Sequence, residues 1–277
     1  MTQPSFFTTS LLRKPERFVL RGGAWRRVAL RVRVGYLHHP VLGHTLIDTG
    51  YGPDVTVPGR VRDRFLSIYR ALLRPNILTD APLRDGLARV GITPEQIDTL
   101  IVTHFHADHV GALSEVPGAR VICARECWDA MQNASRVRNA RAGVFPSLLP
   151  DGLEDRLVFI EDCPQVDAPD PFNHGRDIGG DGRLIAVDLP GHLQGHFGVV
   201  FAGLEQPFLY AADVQWLVRA IVEDRAPGPP TSWIHHDAQA ARKSVSKVRT
   251  FAGQSGEVLL CHDPNIHPFD IDPEVGG

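Results

Sequence analysis

Three histidines and one aspartate are crowded into six consecutive positions of the chain, in the pattern HxHxDH. They are His104, His106, Asp108 and His109, and they follow directly after the apolar segment 100–102. Residues two apart in extended or turning backbone project to the same side, so the first two histidines can hold one ion while the Asp-His pair faces a second. Imidazole and carboxylate ligands suit zinc and similar divalent metals. The pattern therefore predicts a metal site, with a run of surface histidines as the alternative.

Three further residues of ligand type follow apolar segments later in the chain. His192 lies in the turn PGHLQGH, Asp213 ends the segment LYAAD, and His262 ends the segment VLLCH. Each has an ordinary alternative role, as a turn histidine, a helix cap and a buried imidazole respectively. Their shared position after an apolar run nevertheless favours one site at the edge of a sheet, where catalytic loops usually gather.

The elements that must position these residues alternate between strands and helices, which indicates an α/β layer architecture. Period-two and apolar runs predict strands at 25–37, 44–50, 99–104, 119–124, 155–161, 183–191, 196–203, 207–214 and 257–263. Apolar residues spaced three and four apart predict a helix at 61–75. Further helices are expected at 82–90, from 109, after the strand at 119–124 up to about 135, and at 236–250.

One stretch, at 140–182, is rich in proline, glycine and aspartate, and only its segment 155–161 has the pattern of a strand. It is a candidate lid or insertion over a site, with a plain surface loop as the alternative. The whole chain, 1–277, is expected to form a single domain of this layered type, because its length and apolar content suffice for one sizeable core.

The charge balance argues against nucleic acid and anionic membranes as main partners, because 29 basic and 32 acidic residues give a net charge of -3. A small-molecule substrate is expected instead. A homodimer is an alternative to a monomer for this chain. The first 18 residues lack the apolar core of a secretory signal, and no apolar run approaches the ~20 residues of a spanning helix. We therefore expect a cytoplasmic protein.

The four cysteines, at positions 123, 127, 163 and 261, are too few and too scattered for a disulfide scaffold. Cys123 and Cys127 have the spacing of one helical turn, which could serve a metal clip. No second cysteine pair and no nearby histidine completes such a clip, so free thiols are expected.

In their order along the chain, these motifs resemble the metallo-β-lactamase superfamily over most of the sequence, from about His44 to Asp263. The resemblance implies a mixed α/β (α+β) fold, built as a four-layer αββα sandwich. The segment LIDTG resembles an early strand and turn in which an aspartate, here Asp48, supports the metal site; a purely structural turn is the alternative. Carried over residue by residue, the resemblance implies His104, His106 and His192 on a first ion, Asp108, His109 and His262 on a second, and Asp213 bridging both.

Within the superfamily the chain is most similar to N-acyl homoserine lactonases, in the spacing from Asp213 to His262 and in the HDP-type ending. Zinc β-lactamases usually have cysteine or serine in place of Asp213 and lack the Asp-His pair in the first motif, so β-lactam hydrolysis is not expected. One departure from the lactonases is Trp216, which stands where they resemble one another in a tyrosine. An indole offers only one N–H donor at that place.

The implied activity is hydrolysis at two divalent metal ions, expected to be zinc, with iron, manganese and cobalt as alternatives. A hydroxide shared by the two ions would attack the carbonyl of a lactone or ester, and Asp108 could carry a proton to the leaving oxygen. Two other activities fit the same ligands: hydrolysis of phosphodiesters or phosphotriesters, and an iron-dependent sulfur dioxygenase reaction.

Overall fold

Two β-sheets form the centre of the fold, and the computed structural model describes residues 2–254 and 256–272. In the first sheet the strands are ordered β4-β1-β2-β3-β5-β6-β7. Their bounds are β1 (Ser5–Pro15), β2 (Arg27–His39), β3 (Gly43–Ile47), β4 (Asn76–Ile77), β5 (Thr99–Ile101), β6 (Arg120–Cys123) and β7 (Leu157–Phe159). The pairs from β4 to β3 are antiparallel, and those from β3 to β7 are parallel.

The second sheet is mostly antiparallel and has the order β13-β12-β11-β10-β9-β8. Its strands are β8 (Gln165–Asp167), β9 (His174–Asp177), β10 (Leu184–Asp188), β11 (Phe197–Phe201), β12 (Phe208–Tyr210) and β13 (Glu257–Leu259). Only β12 and β13 pair in parallel. The chain segment between these two strands therefore has to cross over the sheet, and it does so through helices.

The helices are mostly short. They are α1 (Glu16–Val19), α2 (Pro53–Thr56), α3 (Arg64–Leu73), α4 (Pro82–Ala88), α5 (Ala107–Val110), α6 (Arg125–Asn133), α7 (Arg136–Arg141), α8 (Val218–Val222) and α9 (Ala238–Gly253). Over the described residues, none is both long and apolar enough to cross a lipid bilayer.

The main core lies between the sheets, where Phe6 of β1 packs against Phe208 and Tyr210 of β12 at ring-centroid distances of 5.9 and 5.1 Å. On the outer side of the first sheet, α4 approaches so closely that a Cβ on its Gly86 would lie 2.0 Å from the ring of Phe7. Helix α9 packs its apolar face on the outer side of the second sheet. Helix, sheet, sheet and helix follow one another, and the predicted αββα sandwich is confirmed.

Four strands were not expected from the sequence, and one of them, β4, is only two residues long. Strand β1 is buried on both faces along most of its length, so its sequence SFFTTSLL lacks the alternation that marks a half-exposed strand. Strands β8 and β9 lie in the stretch 140–182, where the short pattern is obscured by turn-forming residues. That stretch gives β7 to the first sheet and the other two strands to the second.

Predicted boundaries near the ligand-type residues also change. The helix expected from residue 109 begins at Ala107 and ends at Val110, because the chain turns again into a short 3₁₀ segment at 113–115. The strands expected to end in Asp213 and His262 are shorter, since β12 ends at Tyr210 and β13 at Leu259. The ligand-type residues therefore stand on loops beyond the sheet edge, free of ladder hydrogen bonds.

Candidate metal centre

All seven ligand-type side chains lie at one edge of the sandwich, on loops that follow strand ends. The HxHxDH motif begins three residues after β5, and Asp213 and His262 come three residues after β12 and β13. His192 comes four residues after β10. Short loops anchored in buried strands hold their side chains in place at little further entropic cost, because the flanking backbone is already fixed.

The first half of the centre consists of three converging imidazoles. His106 Nδ1 lies 3.0 Å from His104 Nε2 and 3.0 Å from His192 Nε2. Together with a carboxylate oxygen of Asp213, these nitrogens lie within 4.8 Å of one another. Nitrogens placed tetrahedrally around one ion at zinc–nitrogen distances would be about 3.3 Å apart, so the spacing fits a shared cation.

The second half shares Asp213 with the first. Asp213 Oδ1 lies 3.4 Å from His109 Nε2, and Asp213 Oδ2 lies 3.1 Å from His262 Nε2. Asp108 Oδ2 is 3.4 Å from His262 Nε2. Because Asp213 Oδ2 is also 3.4 Å from His192 Nε2, this one carboxylate contacts both halves.

The chemistry of the buried atoms fits divalent cations. His109 Nε2 and Asp213 Oδ1 are buried and have no hydrogen-bond partner among the described residues. A buried polar atom without a hydrogen-bond partner costs about 1–3 kcal/mol. These two atoms lie 3.4 Å apart, and a cation bound between them would satisfy both. Imidazole nitrogens and carboxylate oxygens are the donors that zinc and related ions prefer.

The imidazoles of the first half are held neutral. Burial lowers the pKa of His104 and His192 well below its ordinary value, and neighbouring imidazoles lower it further. Burial likewise lowers the pKa of His106. A neutral imidazole has a free lone pair, which is the form that binds a metal.

The second half favours charged imidazoles instead. Burial opposes a charge on His109, but the carboxylates of Asp48 and Asp213 outweigh burial and raise its pKa well above the ordinary value. The pKa of His262 is raised against burial in the same way, first by Asp213. A cation bound in this half must displace these protons, so its binding is expected to release protons to solvent.

Partners outside the ligand set orient three of the rings. His109 Nδ1 lies 2.8 Å from Asp48 Oδ2, and His262 Nδ1 donates to the carbonyl of Arg31 at 2.7 Å. His104 Nδ1 lies 3.1 Å from the hydroxyl of Thr103. Such contacts fix the ring tautomer so that the opposite nitrogen faces the centre.

Asp48 combines both of the roles considered for it. Its backbone has a φ of +58°, a left-handed turn conformation. Its side chain is fully buried and accepts hydrogen bonds from the backbone N–H and the hydroxyl of Thr103 while also contacting His109. The strain of the turn is thus offset by a network that supports the metal centre.

His196 stabilises the turn PGHLQGH. Its Nδ1 donates to the carbonyl of Leu189 at 2.8 Å, and its Nε2 accepts from the backbone N–H of Asp213 at 3.2 Å. Burial lowers the pKa of His196 to about 4, so the ring is neutral and can donate at one nitrogen and accept at the other. The histidine therefore positions Asp213 through its backbone.

The turn that carries His192 depends on Gly191, whose φ is +122° and whose Cβ, if present, would lie 2.1 Å from the backbone nitrogen of Ala241. We expect Gly191→Ala to lower the free energy of unfolding by at least about 2 kcal/mol, because neither backbone can yield without moving α9 or the metal centre. Urea denaturation at fixed metal concentration measures this loss.

The matched control is Gly182→Ala, at a positive φ of +73° where a new Cβ would meet nothing within 4 Å. That change is expected to cost about 1 kcal/mol through backbone strain alone. Equal losses for the two variants would show that the close approach at Gly191 does not matter.

The sequence pattern did not single out two residues near the centre. The Sγ atom of Cys261 lies within 4.8 Å of the ligand atoms of His109, Asp213 and His262. Its position directly before His262 was the one available signal. Tyr69 of α3 was read only as part of an amphipathic helix, yet its pKa is raised well above the ordinary value, first by burial and then by the Asp108 carboxylate.

Several known proteins of similar sequence are named N-acyl homoserine lactonases. The N-acyl homoserine lactonase AttM of Azorhizobium caulinodans is 28% identical over 240 residues, which cover 83% of this chain and 81% of that protein. The AttM lactonase of Agrobacterium fabrum is 25% identical over 235 residues, covering 82% of this chain and 80% of that protein.

Solved structures support the fold. A variant of B. thuringiensis AiiA with N-decanoyl-L-homoserine bound at its active site is similar with a TM-score of 0.69 and 16% identity, over 94% of this chain and 92% of that one. The dizinc quorum-quenching lactonase AidC gives a TM-score of 0.64 and 15% identity, over 93% of this chain and 86% of that one.

The family model described as the metallo-beta-lactamase superfamily matches residues 41–253, which include every ligand-type residue except His262. The resemblance inferred from the motifs, both to this superfamily and to its lactonases, is thereby confirmed. A match over so much of the sequence shows that the chain belongs to the metallo-β-lactamase superfamily, as a metal-dependent hydrolase.

Proposed function

We propose that this hydrolase contains two metal ions and opens lactones or cleaves related carboxylic esters. The observation that carries the proposal is the sharing of Asp213 between two groups of imidazoles, since one carboxylate contacting both groups suits a pair of neighbouring cations. The similar proteins named N-acyl homoserine lactonase support the substrate class.

Each ion has its own set of ligands in this proposal. One ion would be held by His104, His106 and His192, the other by Asp108, His109 and His262, and Asp213 would serve both. Zinc is the metal proposed first, and iron, manganese or cobalt would accept the same donors. When bound, a pair of such cations supplies a nucleophile at neutral pH by acidifying water, and polarises a carbonyl as a Lewis acid.

Asp108 is proposed to carry a proton to the leaving oxygen. Its carboxylate is buried, and the pKa is lowered despite burial by a hydrogen bond from His262 and by the charge of His109. A carboxylate that stays ionised can accept a proton from the attacking water and pass it to the leaving alcohol. This makes Asp108 both a ligand and the proposed proton carrier.

Two side chains are candidates for the role of the tyrosine that the lactonases share, as a hydrogen-bond donor to a substrate oxygen. The indole Nε1 of Trp216 is buried without a partner among the described residues, and its ring lies 5.1 Å from that of His262. The hydroxyl of Tyr69 lies 2.9 Å from that of Tyr51, which is fully buried. Burial and the nearby Asp108 keep Tyr69 neutral, so it can donate to a substrate oxygen.

We expect Tyr69→Phe to lower kcat by about tenfold or more, because a donor toward the developing oxyanion is lost while the ring is retained. Metal content, measured on the same preparation, is expected to stay at the wild-type level. The control is Tyr51→Phe, which removes the partner hydroxyl and keeps Tyr69. An unchanged kcat in Tyr69→Phe would assign the donor role to Trp216 or to the metal.

The function itself is tested with protein purified without chelators. Metal analysis is expected to find two ions per chain, and a substrate panel is expected to rank lactones and esters above thioesters and phosphate esters. A higher kcat/KM on phosphodiesters or phosphotriesters would replace the proposal with phosphoester hydrolysis. Bound iron together with oxygen uptake on a persulfide substrate would replace it with a sulfur dioxygenase.

A further inference from the structure

A cavity of about 600 Å³ opens beside α9. It lies between α9 and the segment 224–235, which follows α8. Its volume falls in the range of pockets that enclose small-molecule ligands. The seven ligand-type residues do not line it, so the cavity is a separate feature that the proposed chemistry leaves unexplained.

One wall of this cavity lies beside the candidate metal centre. His235 lines the cavity, and its ring centroid lies 5.9 Å from that of His192. Gln215, also a lining residue, is buried and stands two residues after Asp213. The ring of His235 therefore stands between the cavity and His192.

Positive charge dominates the cavity lining, which contains four arginines and one aspartate. Arg249 forms an ion pair with that aspartate, Asp224, at 2.8 Å, and Arg225 pairs with Glu223 at 2.6 Å. Arg21 and Arg242 have no acidic partner in the ion pairs of residues 2–254 and 256–272. Two guanidinium groups are thus available to a ligand.

The wall between these charges is made of small apolar side chains. Ala238, Ala241 and Val245 of α9 contribute to it, and Pro227 faces them from the opposite side. Such a wall accepts a short aliphatic chain without offering it a hydrogen bond. The lining as a whole thus matches a chain that ends in an anion.

From this lining we propose that the cavity holds the part of the substrate remote from the scissile bond, and that this part ends in a carboxylate or phosphate bound by Arg242 and Arg21. The inference rests on the proposed function and narrows its substrate class to anionic lactones or esters. A guanidinium group forms paired, charge-assisted hydrogen bonds with either anion. An uncharged tail would fill the same space without using them.

The kinetic test compares two lactones that differ only at the end of the acyl chain: N-hexanoyl- and N-adipoyl-homoserine lactone. The metal-loaded enzyme is expected to show at least about tenfold higher kcat/KM for the adipoyl compound, through KM, because one charge-assisted pair contributes that much. Arg242→Gln is expected to remove the preference by lowering kcat/KM for the adipoyl compound about tenfold. A terminal phosphonate in a third lactone shows which anion is preferred.

The control variant is Lys243→Gln, at the neighbouring exposed position of α9 that does not line the cavity. It removes the same charge from the same helix and is expected to keep the adipoyl preference. An equal or higher kcat/KM for the hexanoyl lactone, or a matching loss in the two variants, overturns the inference.

A binding measurement separates this inference from the proposed function. By calorimetry on the metal-loaded protein, adipate is expected to bind at least about tenfold more tightly than hexanoate. In Arg242→Gln the two anions are expected to bind with equal affinity. If neither lactone is hydrolysed but adipate still binds more tightly, the anion site stands and the lactonase proposal fails. If lactones are hydrolysed but adipate has no advantage, the anion site is rejected.

Discussion

Purified His106→Ala is expected to contain one metal ion per chain instead of two, and to turn over its substrate more than about a hundredfold more slowly. Loss of an outer hydrogen-bond partner can already weaken metal binding tenfold to a hundredfold, so loss of a direct ligand should exceed this. His106 Nδ1 lies at the centre of the first half, 3.0 Å from a nitrogen of His104 and 3.0 Å from a nitrogen of His192. Metal analysis and steady-state kinetics measure the two losses.

The control for this prediction is His174→Ala, which removes an exposed histidine of β9, outside both ligand groups. It is expected to keep two ions and full turnover. Circular dichroism on both variants checks that the sandwich remains folded. The assignment of His106 as a ligand fails if the variant retains both ions and wild-type kcat.

Replacing Arg33 with methionine is expected to lower the free energy of unfolding by about 3–5 kcal/mol, the usual loss when one partner of a buried ion pair is removed. Arg33 of β2 is fully buried and forms a two-point ion pair with Asp270 at 2.8 Å. Its Nη1 also donates to the carbonyl of Asp263 at 2.6 Å. The guanidinium group thus ties the first sheet to the loop that carries His262.

Arg27→Met provides the comparison, since Arg27 is an exposed residue of the same strand. Its cost is expected to stay within about 0.5 kcal/mol, as for most surface substitutions. The double variant Arg33→Met with Asp270→Leu should recover part of the loss, because no unpaired charge then remains buried. A stability equal to that of Arg27→Met would show that the ion pair contributes nothing.

The metal centre could be predicted from the sequence to a greater depth than the fold around it. Whether a residue can bind a metal depends on its side-chain type, which the sequence gives directly. HxHxDH and the later His192, Asp213 and His262 could therefore be identified as candidate ligands without knowledge of the strands and helices. The loops beyond β5, β10, β12 and β13 do bring these side chains together. Their roles as ligands stay a proposal until metal is measured.

Some features of the fold were not predicted because the hydrophobic pattern of the local sequence does not match the burial of its residues. Strand β1 is buried on both faces, and the basic residues Arg31 and Arg33 of β2 are buried although their alternation with apolar residues is that of a half-exposed strand. The partners of Arg33 lie more than 220 positions away in the chain, at Asp263 and Asp270. No window of sequence contains both members of such a contact.

The sequence also did not predict residues that lie near the candidate site or the cavity in the fold but far from them along the chain. Tyr69 lies near enough to Asp108 for that carboxylate to raise its pKa, and the cavity arginines come from three separate segments of the chain. Arg21 precedes β2, Arg225 follows α8, and Arg242 lies in α9. Nothing in their sequence neighbourhoods distinguishes them from ordinary surface arginines.

The division of the ligands between the two sheets has a consequence for how this protein is made. Loops of the first sheet provide His104 to His109, and loops of the second provide the rest, so each proposed ion needs ligands from both sheets. During translation, roughly 10 to 30 s separate the emergence of the first histidine from that of His262. If the proposed ligands bind metal, the nascent polypeptide has an incomplete set of them until then, and metal binding can be completed only after the two sheets have packed together.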